Sequence, residues 1–94
     1  MDELSAIKAT VHGRVQGVFF RVSTRKVARE LELSGTIRNL PGWIKVEVHA
    51  EGEKAQLEKL IEYLKKGPSG AKVEKVDIEW MKYTGRYTGF NVIY

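Results

Sequence analysis

No cysteine occurs among the 94 residues, which excludes disulfide staples, zinc knuckles, iron–sulfur clusters and every chemistry built on a thiolate nucleophile. Long apolar runs are missing as well. Nothing approaches the roughly 20 residues of a membrane-spanning helix, and the opening Met-Asp-Glu-Leu-Ser-Ala-Ile lacks the basic region and apolar stretch of a secretory leader. The cytoplasm is the expected compartment, with no membrane partner. The length, 94 residues, fits one domain over 1–94 and leaves no room for a separate cofactor domain. Acidic residues are scarce in one place only. From Leu4 to Arg29 there are none, against six basic residues (Lys8, Arg14, Arg21, Arg25, Lys26, Arg29), whereas Glu30 to Tyr94 balances ten of each sign. With Asp2 and Glu3 counted, the net charge is +4, and all of the excess lies in that one segment. Such a field favours an anionic partner without choosing among phosphate, nucleic acid and an anionic membrane surface. At 43% hydrophobic the chain is too apolar for disorder.

Ile7, Ala9 and Val11 alternate with polar residues, which predicts a half-buried strand ending at Gly13. A helix is expected over Arg21–Leu33, with Phe20, Val27 and Leu31 on one side, Thr24 and Ala28 between them, and Ser34-Gly35 as its stop. A short strand, Thr36–Leu40, leads through Pro41-Gly42 into an alternating strand of Ile44, Val46, Val48 and Ala50, giving a hairpin. Leu57, Leu60, Ile61 and Leu64 at i, i+3, i+4 and i+7 mark a second helix stopped by Gly67-Pro68. Val76, Ile78 and Trp80 alternate in a fourth strand, and Phe90–Tyr94 forms a short terminal one. The order predicts an α+β, ferredoxin-like βαββαβ sandwich: an antiparallel sheet, two helices on one face and a short extra C-terminal strand.

The loop Gly13-Arg14-Val15-Gln16-Gly17-Val18-Phe19-Phe20-Arg21 joins the first strand to the first helix. Unpaired amides of a first helical turn and the helix dipole favour an anion there. Two glycines allow the backbone to curl into a nest of converging N–H groups, and Arg21 can add a bidentate grip. Phe19 and Phe20 supply apolar walls or core packing. On the residues alone, the loop reads either as an anion cradle or as an ordinary connection with a solvated arginine. It is neither a P-loop, for want of Gly-Lys-Ser/Thr, nor a dinucleotide fingerprint.

The nonapeptide G-R-V-Q-G-V-F-F-R resembles the acylphosphatase signature G-x-V-Q-G-V-x-F-R at every fixed position, and G-T-I-R-N-L-P-G (Gly35 to Gly42) resembles the second signature region. The resemblance extends over nearly the whole chain. It implies hydrolysis of the carboxyl–phosphate bond of small acyl phosphates, releasing inorganic phosphate, with no cofactor and no metal. Carried over, Arg21 binds phosphate, Asn39 orients the attacking water, and the backbone amides of Val15, Gln16, Gly17, Val18, Phe19 and Phe20 line the phosphate loop. Two positions depart from the family pattern. Thr36 stands where a larger apolar residue is usual. The N-L-P-D-G-x-V hairpin reads Asn39-Leu40-Pro41-Gly42-Trp43-Ile44-Lys45-Val46, about one residue longer and without Asp-Gly, which bears on the turn that holds Asn39.

The implied reaction is chemically consistent with so few parts. A carboxylate leaving group, of conjugate-acid pKa about 4, departs without a general acid, and a loose phosphoryl transition state asks mainly for charge and positioning. His12 and His49 are read as structural, with no orienting carboxylate evident for either, and Arg14, Arg25 and Arg29 as a solvated basic face. Trp43 and Trp80 are read as sheet-packing residues. Two other functions fit parts of the sequence: an acylphosphatase-like domain that only binds carbamoyl phosphate or another anion, and an RNA-binding module, since Arg86–Val92 faintly matches an RNA-recognition string. A monomer without nucleic-acid partner is expected.

Overall fold

A computed structural model describes residues 3–94; Asp2, counted in the charge, lies outside them. Its elements are β1 (Leu4–Arg14), α1 (Phe20–Glu30), β2 (Ser34–Asn39), β3 (Lys45–Glu53), α2 (Lys54–Lys66), β4 (Lys72–Met81) and β5 (Phe90–Val92). They form one five-stranded sheet in the order β4-β1-β3-β2-β5. No helix among the described residues is long and apolar enough to cross a membrane.

Register turns the alternation into a core. Ile7, Ala9 and Val11 of β1 stand opposite Ala50, Val48 and Val46 of β3 and opposite Trp80, Ile78 and Val76 of β4, so three apolar rows share one face. Both helices cover that face, α2 over β1, β3 and β4, and α1 over β2 and β5. Leu57, Leu60 and Leu64 are fully buried and Ile61 nearly so; each contributes on the order of 1.5–3 kcal/mol. The buried stripe of α1 is Phe20, Thr24 and Ala28, with Val27 and Leu31 flanking it.

The first four strands pair antiparallel, but β5 runs parallel to β2, so the sheet is mixed. Because β4 runs opposite to β2, a connection that reverses the chain delivers β5 in the direction of β2. The buried carboxylate of Glu51 anchors this connection, accepting hydrogen bonds from the Thr84 amide (3.1 Å), the Thr84 hydroxyl (2.7 Å) and the Gly85 amide (2.8 Å).

Several boundaries differ from expectation, β5 among them, which ends at Val92 rather than Tyr94. Helix α1 stops at Glu30, not Leu33: Glu32 takes φ 59°, and Leu33 N–H donates to Ala28 O while Glu32 N–H donates to Arg29 O. A glutamate therefore occupies the left-handed position expected of Gly35. Gly35 lies inside β2 instead, where an added Cβ would sit 1.8 Å from His49 O. Strand β3 begins at Lys45, because the turn closed by Leu40 N–H to Lys45 O takes Ile44 out of the ladder. Neither tryptophan packs in the sheet interior. Trp43, with φ 69°, is exposed at the hairpin tip, and Trp80 is half exposed on the edge strand β4 with Lys54 Nζ 5.8 Å from its ring centroid.

Candidate active site

The C-terminal ends of the parallel strands β1 and β2 lie at the same end of the sheet, and α1 starts there. That topology brings the 15–20 loop, Arg21 and Asn39 to one place. Val15, Gly17, Phe19 and Phe20 of the loop line a cleft of about 310 Å³ with Arg21, Asn39, Arg25, Val92 and Tyr94, whereas Gln16 and Val18 do not line it.

Among the described residues, none of the amides of Gln16, Gly17, Val18, Phe19 and Phe20 donates to a protein acceptor. Helix α1 has no side-chain cap and no acidic residue in its first turn, so the usual partners of those donors are lacking. Gly17 (φ 72°) and Phe19 (φ 59°) are both left-handed, and the curl this produces makes neighbouring N–H groups converge. Glycine takes that conformation freely. Phenylalanine does so at a cost of about 1 kcal/mol or more, so the loop shape is imposed by its surroundings rather than by local preference.

The two phenylalanines divide the roles expected of them. Phe20 is buried beneath the loop, while Phe19, 83% exposed, flanks the cleft. Val15 is buried and fixes the loop to the core, and its N–H, expected in the cradle, instead donates to Gly13 O (3.0 Å); the half-buried Val18 packs against that core. Gln16 does more than lend its amide. Its side-chain Nε2 donates to Leu40 O (2.9 Å) and Lys45 O (2.8 Å), clipping the loop to both sides of the β2–β3 turn. The longer hairpin is therefore held from outside, at the residue next to Asn39. Asn39 Oδ1 is buried without a protein partner.

Arg21 makes no ion pair among the described residues; its guanidinium carbon lies 5.2 Å from the centroid of the Tyr94 ring. No Asp or Glu lines the cleft. Of the six basic residues in the early segment, only Arg21 and Arg25 reach it. Lys8 sits between His49 and Glu79 in the sheet, and Arg29 Nε donates to Phe90 O (3.1 Å). Arg25, read from the sequence as part of a solvated basic face, lines the cleft instead, and Val92 and Tyr94 were not singled out as site residues. The i+4 spacing of Arg25 from Arg21 was a usable signal, whereas the approach of the C-terminal strand was not.

Both histidines do have carboxylate partners, contrary to the reading of the sequence, because those partners come from pairing across and along strands. His12 Nε2 lies 2.9 Å from Asp77 Oδ2, and His49 Nε2 lies 3.3 Å from Glu47 Oε1, which also accepts from Arg38 Nε at 3.0 Å. Neither histidine lines the phosphate cleft. Burial pushes the Glu47 carboxyl up, but the hydrogen bond and charge of Arg38, joined by His49, outweigh it and hold it below the usual carboxylate range. The hydrogen bond from His12, helped by Lys75, lowers that of Asp77. Phe90 is fully buried and offers no ring for base stacking.

The profile of the acylphosphatase family matches residues 7–92. The acylphosphatase of Roseiflexus sp. (strain RS-1) is 43% identical over the full length of both chains. Among solved structures, an acylphosphatase from Coxiella burnetii superposes with a TM-score of 0.89 at 42% identity, covering 96% of this chain and 93% of that one. The acylphosphatase of Bacillus subtilis gives 0.91 at 29% identity, covering 98% of this chain and 100% of that one. With its fold, its cradle loop and this full-length similarity all in agreement, the chain belongs to the acylphosphatase family.

Proposed function

We propose that the 15–20 loop and Arg21 hold the phosphoryl group of an acyl phosphate while Asn39 presents the water that attacks it. The family membership carries the reaction, hydrolysis of an acyl phosphate to a carboxylate and inorganic phosphate. The observation that supports the residue roles is the run of unpartnered amides, Gln16 to Phe20, in the loop beside the cleft that Arg21 and Asn39 line and that no Asp or Glu lines.

The water oxygen bonds to phosphorus as the bond from phosphorus to the acyl oxygen breaks. The bonding pair leaves with the carboxylate, and the proton of the water passes to a phosphate oxygen. A leaving group of conjugate-acid pKa about 4 needs no proton, so no general acid is required. Charge on the equatorial oxygens is met by preorganised N–H donors and by one guanidinium. Asn39 contributes an acceptor for a water proton and thereby fixes the direction of attack. The phosphate itself takes the proton, so a histidine base is unnecessary. The reading treats residues 1–94 as a single domain acting as a monomer, without metal or cofactor.

Hydrolysis of benzoyl phosphate in the presence of EDTA tests it. Activity should be insensitive to the chelator and should be lost in both Arg21→Ala and Asn39→Ala. Inhibition by inorganic phosphate should vanish only in Arg21→Ala. Full activity in Arg21→Ala would overturn the proposed roles, and loss of activity with EDTA would overturn the metal-free reaction.

A further inference from the structure

The cleft continues past the phosphate cradle, and its outer part carries a charge that the hydrolytic step does not use. Arg25 follows Arg21 by four residues on α1, about 6 Å further along the axis, and lines the same cleft. Half-exposed Val22 and, from the C-terminal segment, Val92 and Tyr94 wall this space. The guanidiniums on either side of Arg25 are engaged, Arg21 over the Tyr94 ring and Arg29 on Phe90 O. Arg25 makes no ion pair or hydrogen bond among the described residues, and no Asp or Glu lines the cleft to neutralise it.

An acyl group emerging from the cradle thus enters a space with apolar walls and one cation that no Asp or Glu side chain engages. Building on the reading above, we propose that this is an acyl subsite selecting acyl phosphates whose acyl group carries a second carboxylate, which Arg25 grips through its guanidinium fork. A planar two-donor cation suits a carboxylate better than a point charge does. The rise of about one turn between Arg21 and Arg25 is a gap that a ring or a short carbon chain can span between two anionic ends.

The test compares 3-carboxybenzoyl phosphate with benzoyl phosphate, which differ by one carboxylate on a rigid ring, in the wild type, Arg25→Gln, Arg25→Lys and Arg25→Glu. The quantity read is the ratio of the two kcat/KM values, which cancels any loss of folded protein. A charge-assisted contact predicts that the ratio falls about tenfold in Arg25→Gln and further in Arg25→Glu, with Arg25→Lys intermediate. A ratio unchanged in Arg25→Gln and Arg25→Glu would overturn the subsite. So would an equal fall for both substrates, since Arg25 would then serve the phosphate. If the wild type hydrolyses neither compound, it is the hydrolytic reading that fails.

Discussion

Gln16 shows how one side chain can couple the two halves of the site. Its two hydrogen bonds to carbonyls of the β2–β3 turn contribute about 1 kcal/mol each, and removing them leaves Leu40 O without its donor, while Lys45 O keeps the Leu40 N–H. Asn39 directly precedes Leu40, so the loss is transmitted to the residue proposed to position water. We expect Gln16→Ala to lower kcat by about tenfold or more while the inhibition constant for inorganic phosphate moves much less, because the backbone amides of the cradle remain. Steady-state kinetics with phosphate as competitive inhibitor checks this, and an equal effect on both constants would place Gln16 in the phosphate site alone. Phe19 illustrates a different residue-scale point. Its left-handed backbone places an apolar ring at the edge of the cleft, where glycine would satisfy the turn with no ring at all.

Strands β2 and β3 make the pair on which the site's geometry rests, and Gly35 is its tightest point. An added Cβ would approach His49 O to 1.8 Å, and the φ of 150° is one that residues with side chains rarely adopt. Overpacking and backbone strain together predict a loss of about 3 kcal/mol or more for Gly35→Ala. The urea midpoint should drop accordingly, and a change under about 1 kcal/mol would mean the strand pair relaxes easily. The same position explains why the end of α1 was misread. A glycine two or three residues after an amphipathic run resembles a helix stop, and only the proximity of the neighbouring strand reveals that its smallness serves the sheet. The helices themselves were plain in the sequence. Their apolar spacing, Phe20-Thr24-Ala28 and Leu57-Leu60-Ile61-Leu64, reflects a period that local chemistry sets.

Across the whole molecule, the helix-free face of the sheet carries the ion pairs of Glu47 and Asp77 and the helix-covered face carries the core, so the pH response of these two carboxylates belongs to that open face. Glu47 and Asp77 both titrate below their ordinary ranges in the folded protein. Their contribution is present above the unfolded pKa values of about 4 and is lost as pH falls through the lowered folded values. Urea unfolding should therefore show a midpoint that decreases from pH 6 to pH 3, and Glu47→Gln should flatten that decrease. A midpoint just as steep in the variant would exclude Glu47 from the effect.

The strands, the helices and the cradle peptide were legible in the sequence because alternation, helical spacing and a glycine-bearing loop are local properties of the chain. The role proposed for Arg21 rests on the loop's own residues and on the resemblance, that of Asn39 on the resemblance alone. Contacts made by packing between distant segments were not legible: the carboxylate beside His12, the parallel entry of β5, the Gln16 clip and the carriage of Tyr94 over Arg21. Each depends on which strand edges meet and in what register, and that follows from packing over long sequence separations. The early cluster of six positive charges marked the right segment. Folding then sent two of them, Arg21 and Arg25, to the cleft and turned the others elsewhere, because side chains on a strand or helix share a face only at its period.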